Sequence, residues 1–173
     1  MNPKTKNLLL GLKILAWLAA LGLAFIAGSI IVSYLVSIWH VQASHNLYKG
    51  LDLSAYRNRS FIQYTLIVLY KAGTYSMQAY VAYLVATLLD QVNLLRPFSS
   101  QVVRLLEKIS AAILGVWLLA VIYNIHVAVL QKVYGIVPSF IEGDFLFLAG
   151  IVFVLAQVFK RGVAIQSENE LTV

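Results

Sequence analysis

"ISAAILGVWLLAVIYNIHVAVL", residues 109–130, contains no Lys, Arg, Asp or Glu. At about 1.5 Å of rise per residue, about 20 apolar residues cross the hydrocarbon core of a bilayer. The apolar side chains here run on continuously instead of alternating, which points to a helix and not to a barrel strand. Only those two structures satisfy every backbone group inside lipid. The stretch reads as a transmembrane helix, and the rest of the chain sorts around it.

Immediately upstream stands "RPFSSQVVRLLEK", residues 96–108. Pro97 breaks the chain, and Ser99 or Ser100 supplies a helix N-cap. Arg96, Arg104 and Lys108 surround an apolar side made of Val102, Val103, Leu105, Leu106 and Ile109. That pattern predicts a short helix lying on the inner membrane surface before it turns into the span. Farther upstream, a second span lies within Phe61–Leu89, interrupted by Lys71, and a first covers Leu12–Trp39. The first is uncharged from Ile14 to Ile38, much longer than the roughly 7–15 residues of a signal-peptide core, and is expected to be retained. Ala16, Ala20, Ala24 and Gly28 form a smooth ridge along it, suited to packing inside the protein or, alternatively, to a dimer seam. A fourth span runs from about Phe145 to Phe159, with its start drawn back toward Ile141. The expected fold is all-α, an integral membrane four-helix bundle. It forms a single membrane domain over residues 1–173, with spans at about 12–39, 61–89, 109–130 and 141–159 and a tail at 160–173.

Composition agrees. The chain is 61% hydrophobic and 12% charged, against roughly 25% charged in soluble domains. It has no cysteine, which excludes disulfides and thiolate chemistry. Its net charge of +6 fits the gathering of Lys and Arg on the cytoplasmic side of membrane proteins. With the N-terminus inside, Lys4, Lys6, Lys13, Arg96, Arg104, Lys108, Lys160 and Arg161 are cytoplasmic, against Lys49, Arg57, Arg59 and Lys132 outside. Both termini are therefore expected in the cytoplasm, in a multi-pass protein of the bacterial inner membrane.

Several polar residues then fall near the outer ends of the spans: His40, Lys71, Asn124, His126, Glu142 and Asp144. Together they would suit an anion, a proton or a divalent ion. In the plainer reading Lys71 snorkels to the headgroups, His40 and Asp144 are interfacial, and His126 donates to a neighbouring helix. Haem would need His40 and His126 on facing helices, and no further signature of it is present; no metal or cofactor is expected. Tyr64, Tyr70, Tyr75, Tyr80 and Tyr83, with Gln63 and Gln78, could line a ligand face. More simply, Tyr64 and Tyr70 belong to the aromatic belt and the deeper hydroxyls bond across helices. The sequence holds no glycine-rich phosphate loop, nucleophile elbow, metalloprotease helix or paired catalytic carboxylates, so no enzymatic activity is expected.

Two segments carry a resemblance. "RPFSSQVVRLLEKIS" (96–110) and "FLFLAGIVFVLAQVFKRGVAIQSENELTV" (145–173) resemble parts of a family of small bacterial four-helix membrane proteins, domain of unknown function 2975. Pro97, Phe98 and Ser99 match its first motif; Arg161, Gly162, Glu168, Asn169, Glu170, Leu171 and Thr172 match its second. Members are often encoded beside a small helix-turn-helix regulator. The resemblance thus implies a non-enzymatic sensor or regulatory membrane partner of such a cytoplasmic regulator, with no nucleic-acid binding of its own. The rival expectation is a subunit of a homo-oligomeric transporter or channel, with a path along Lys71, His126 and the second-span tyrosines.

The tail is expected to follow from these motifs. Lys160 and Arg161 hold the helix end at the anionic inner leaflet, and Gly162 lets the helix stop and turn. Glu168 and Glu170 would then fold back on Arg96, Arg104 and Lys108, the alternative being a frayed, solvated terminus. The expected partner surface is Pro97, Phe98, Ser99, Arg104, Lys108, Arg161, Glu168, Asn169 and Glu170.

Overall fold

The computed structural model describes residues 3–92, 98–137, 139–141, 143 and 145–170, and all regular structure among them is helical. The elements are α1 (Pro3–Trp39), a 3₁₀ turn (Val41–His45), α2 (Ser54–Arg59), α3 (Phe61–Gln91), α4 (Ser100–Tyr134) and α5 (Phe145–Glu170). Three helices are long and apolar enough to cross a membrane: α1, α4 and α5.

Contacts along their lengths show the helices running antiparallel in chain order. Trp17 meets Tyr83 and Tyr34 meets Thr65, which sets α1 against α3. Gln63 meets His126 and Lys71 meets Tyr123, which sets α3 against α4. The Ser110 hydroxyl donates to the carbonyl of Ala149, which sets α4 against α5. Packing follows that order, α1 on α3, α3 on α4 and α4 on α5, and among the described residues α1 and α5 make no comparable contact with each other. The four long helices therefore form a row, with α1 and α5 at its flanks.

This arrangement explains why α3, unlike the other three, is not apolar enough to stand among the membrane-crossing helices. It occupies an inner place in the row, with Tyr64, Ile67, Val68 and Ala72 all buried. Polar residues such as Gln63, Lys71 and Thr74 can therefore face protein. Only a stripe including Ile62, Leu66, Leu69, Tyr80 and Tyr83 is left exposed.

At one end the polar connector forms a cap. Leu47, Leu53 and Tyr56 are buried in the same cluster as Tyr64, Ile67, Tyr123, Val127 and Leu130. The Arg57 guanidinium donates to the carbonyl of Ile38 at 3.4 Å and lies over the rings of Phe61 and Tyr64, pinning α2 to the start of α3. At the opposite, terminal end, α1 begins and α5 finishes.

Helix limits follow local chemistry. The Ser99 side chain accepts the amide of Val102 at 3.3 Å and caps α4, as the sequence implies. Gly135, at φ 70°, ends α4 in the left-handed conformation that favours glycine.

Three expectations need correction. Ser100–Lys108 does not lie on a membrane surface and then turn, because α4 is continuous from Ser100 to Tyr134. Its apolar stripe instead packs inside the protein, with Val102 and Leu106 against Ala156 and Leu105 and Ile109 against Leu84 and Ala149. The last helix starts at Phe145, not 141, and Gly162 does not stop it; the helix runs on to Glu170. Along the small-residue ridge Ala20 is buried within the chain, while Ala24 and Gly28 are exposed.

Candidate functional site

At the capped end, Tyr123 is a hub. Its hydroxyl donates to the carbonyl of Ser139 at 2.8 Å, and its ring packs edge-on against Tyr70. The ammonium of half-buried Lys71 sits 4.7 Å from the Tyr123 ring centroid, a cation–π contact. Asn124, one residue on, clasps Ile141 in both directions: Nδ2 donates to its carbonyl at 2.8 Å, and Oδ1 accepts its amide at 2.9 Å. Together these bonds hold the segment before α5 against α4.

His126 lies on the face of α4 that meets α3. Its Nε2 lies 2.7 Å from Gln63 Oε1, which makes Nε2 the protonated nitrogen in the neutral ring. Its Nδ1 is buried with no partner among the described residues, and Tyr70 packs edge-on at 5.7 Å. His40 is exposed and precedes the 3₁₀ turn, making no side-chain cap bond. Asp144 and Glu142 lie outside the described residues. Of this set, among the described residues, Lys71 meets Tyr123, Asn124 meets Ile141 and His126 meets Gln63. Among the described residues no group of His, Asp and Glu is placed to hold a metal.

The tyrosines divide as well. Tyr64 is no belt residue; it is fully buried and shares a 2.7 Å hydrogen bond with Ser37. Tyr70 packs on Tyr123 and His126, again inside the protein. Tyr80 and Tyr83 stack on the exposed face, with Trp17 edge-on to Tyr83. Sequence reasoning missed Gln63 as the partner of His126, and Ser37 and Ser139 as the partners of tyrosine. Gln63 and His126 do sit near the same ends of neighbouring antiparallel spans, and that matched depth was the available signal.

The terminal end unites the two segments that carry the family resemblance. Phe98 packs edge-on to Phe159 with ring centroids 5.3 Å apart. A Cβ placed on Gly162 would lie 2.6 Å from Phe98 Cε1 and 2.8 Å from its Cγ, which no real side chain tolerates without displacement. Glycine at 162 therefore makes room for the Phe98 ring. Nearby, Lys160 Nζ lies 3.9 Å from Glu107 Oε1. Ser100, Val103, Arg104, Glu107, Lys160 and Val163 line a shallow groove of about 270 Å³ between α4 and α5. Arg104, Lys108, Arg161 and Glu168 are exposed. Asn169 and Glu170 continue the helix, so residues 160–170 project along α5 where a fold-back was expected. Pro97, Leu171 and Thr172 lie outside the described residues.

On the other side of the row, Lys13 and Asp90 pair between α1 and α3. The resulting charged end is thus tied at α1–α3 and again at α4–α5.

No curated protein and no solved structure matches the chain. Residues 52–173 match the family described as "Protein of unknown function (DUF2975)", a match that takes in α2 to α5 and both segments joined at Phe98 and Gly162. The chain belongs to that family.

Proposed function

We propose that this protein is a non-enzymatic regulatory subunit of the bacterial inner membrane, whose terminal end presents a helical surface to a soluble cytoplasmic partner. In this reading α3 is a fourth span shielded by α1 and α4, and both termini are cytoplasmic. The excess of Lys and Arg at that end supports the orientation. The helix lengths support it too: at about 1.5 Å per residue, the 35 residues of α4 outrun a hydrocarbon core of about 30 Å. The first turns of α4 and the last of α5 then emerge as a pair.

The carrying observation is the seat of Phe98 on Gly162 and Phe159. It fixes the helix beyond the membrane against α4, with Arg104, Lys108, Arg161 and Glu168 exposed around the groove. A fixed, mixed-charge pair of helices suits recognition of a folded protein partner, for which the resemblance suggests a helix-turn-helix regulator. The protein needs no cofactor for this role and does not itself contact nucleic acid.

Co-expression with a helix-turn-helix regulator of the kind the resemblance implies tests the proposal. Wild-type protein is expected to recruit that regulator to membranes, and Arg104→Glu with Lys108→Glu to lose recruitment while inserting normally. Equal recruitment by the double variant would refute it. The transporter reading draws less support. Lys71 and Tyr75 line a cavity with α1 and the first loop, and His126 meets Gln63 between α3 and α4.

A further inference from the structure

Beside Lys71 lies a cavity of about 420 Å³, walled by Ile26 and Ile30 of α1, by Tyr48, Lys49, Gly50 and Leu51 of the first loop, and by Lys71 and Tyr75 of α3. We propose that this cavity binds the phosphate headgroup of one anionic phospholipid.

The loop is shaped to bring Lys49 there. Lys49 has φ 43° and Gly50 φ 84°, two successive left-handed residues, of which only glycine adopts that conformation at no cost. The turn is closed by Asn46 Oδ1 accepting the Gly50 amide at 2.9 Å and by Leu47 N donating to the carbonyl of Leu51 at 2.9 Å. Leu47 and Leu53, on either side, are buried in the core and anchor the loop. Strain at a non-glycine residue persists where the surroundings hold it, and here the result is a lysine at the rim of a cavity that already contains another.

The charge pattern then specifies the ligand. Among the described residues the cavity lining includes two lysines, Lys49 and Lys71, and no aspartate or glutamate. A cation within a span is costly and calls for a counter-charge. The Tyr123 ring offers Lys71 only a quadrupole, and the Tyr48 ring, 5.5 Å from Lys49 Nζ, does the same for Lys49. A phosphate between the two ammonium groups would be met by charge-assisted hydrogen bonds, with the hydroxyls of Tyr48 and Tyr75 as further donors. Ile26, Ile30 and Leu51 supply an apolar wall beside it. Such a wall suits the first methylenes of an acyl ester and serves no purpose for a free anion, so the lipid is the source we choose. The volume fits a headgroup and the start of its chains, the rest lying in the bilayer along the exposed face of α1.

The proposal stands apart from partner recruitment and is tested without it. The full chain in phosphatidylcholine nanodiscs doped with phosphatidylglycerol is to be examined by native mass spectrometry after release into detergent. One phosphatidylglycerol is expected to be retained in preference to phosphatidylcholine. Lys71→Gln and Lys49→Gln should each weaken retention by at least about tenfold. Lys132→Gln, an exposed lysine that does not line the cavity, should leave retention unchanged. Should Lys71→Gln lose helix content, Lys49→Gln on the loop decides the matter. Equal retention by the Lys49 variant would overturn the proposal. Displacement of the lipid by glycerol 3-phosphate or inorganic phosphate at similar concentration would also overturn it, in favour of a free anion.

Discussion

The two ends of the helix row are held by different kinds of force. The capped end is an apolar core threaded with directed hydrogen bonds: Ser37 with Tyr64, Tyr34 with Thr65, Tyr123 with Ser139, and Asn124 with Ile141. The terminal end packs Val102 and Leu106 on Ala156 and, among the described residues, adds ion pairs at Lys13–Asp90 and Lys160–Glu107 and an aromatic seat at Gly162. Partly exposed ion pairs are worth about 0–1 kcal/mol and are screened by salt, so shape at Phe98 carries more of that end than charge does. The capped end thus has the larger buried cluster, and the terminal end a smaller one with exposed charges around it.

Mutations can break this contrast at graded strengths. Tyr123→Ala removes a fully buried ring from the hub, and a loss of about 3–5 kcal/mol is expected in denaturant unfolding from detergent micelles. A loss no larger than that of Phe98→Ala would mean the two ends are equally firm. Gly162→Ala should cost about 1–3 kcal/mol by overpacking against Phe98. Adding Phe98→Ala should recover part of that loss, a non-additivity above about 0.5 kcal/mol; simple addition would show that the ring does not sit on the glycine. Asn124→Ala opens the clasp on Ile141 and should cost about 1–2 kcal/mol, since hydrogen bonds between membrane segments are individually modest. Hydrogen exchange should then rise at the Ile141 amide before it rises in α4.

The smallest effect concerns pH. Hydrogen bonds from the Ser54 side chain and amide, followed by the nearby His45, hold the Asp52 carboxyl below the usual aspartate range. A group with a depressed folded pKa contributes stability above its unfolded value and loses it as pH falls through the folded one. Amide exchange at Ser54, whose amide donates to Asp52 Oδ1 at 2.8 Å, should therefore accelerate only on acidification below the usual aspartate range. Asp52→Asn should flatten that rise, whereas an unchanged profile would assign it to another group.

The sequence revealed the long apolar helices, because continuous uncharged runs have few other solutions. It also revealed the Ser99 cap, which depends on local chemistry alone. The path of Ser100–Lys108 was not legible, because an amphipathic stripe looks the same whether it lies on lipid or on Ala156 and Phe159 of another helix. Gly162 was misread for a related reason. Glycine after a basic pair is a common helix stop, but here the residue is constrained by a ring far away in sequence. At the polar end, residue types singled out Lys71, Asn124 and His126. Their partners could not be read, because a ring face, a backbone amide and a glutamine amide leave no distinctive spacing.

The chain has no cysteine, so engineered pairs report on proximity without background. Ser100 and Val163 line opposite walls of the groove between α4 and α5, a few residues from Phe98 and Gly162. With cysteines at these two positions in native membranes, a short bifunctional maleimide should crosslink them efficiently from the cytoplasmic side, and Gly162→Leu in the same background should suppress the crosslink. Failure of the pair to crosslink, although each cysteine is labelled singly, would contradict the proposed joining of the two family segments into one cytoplasmic surface.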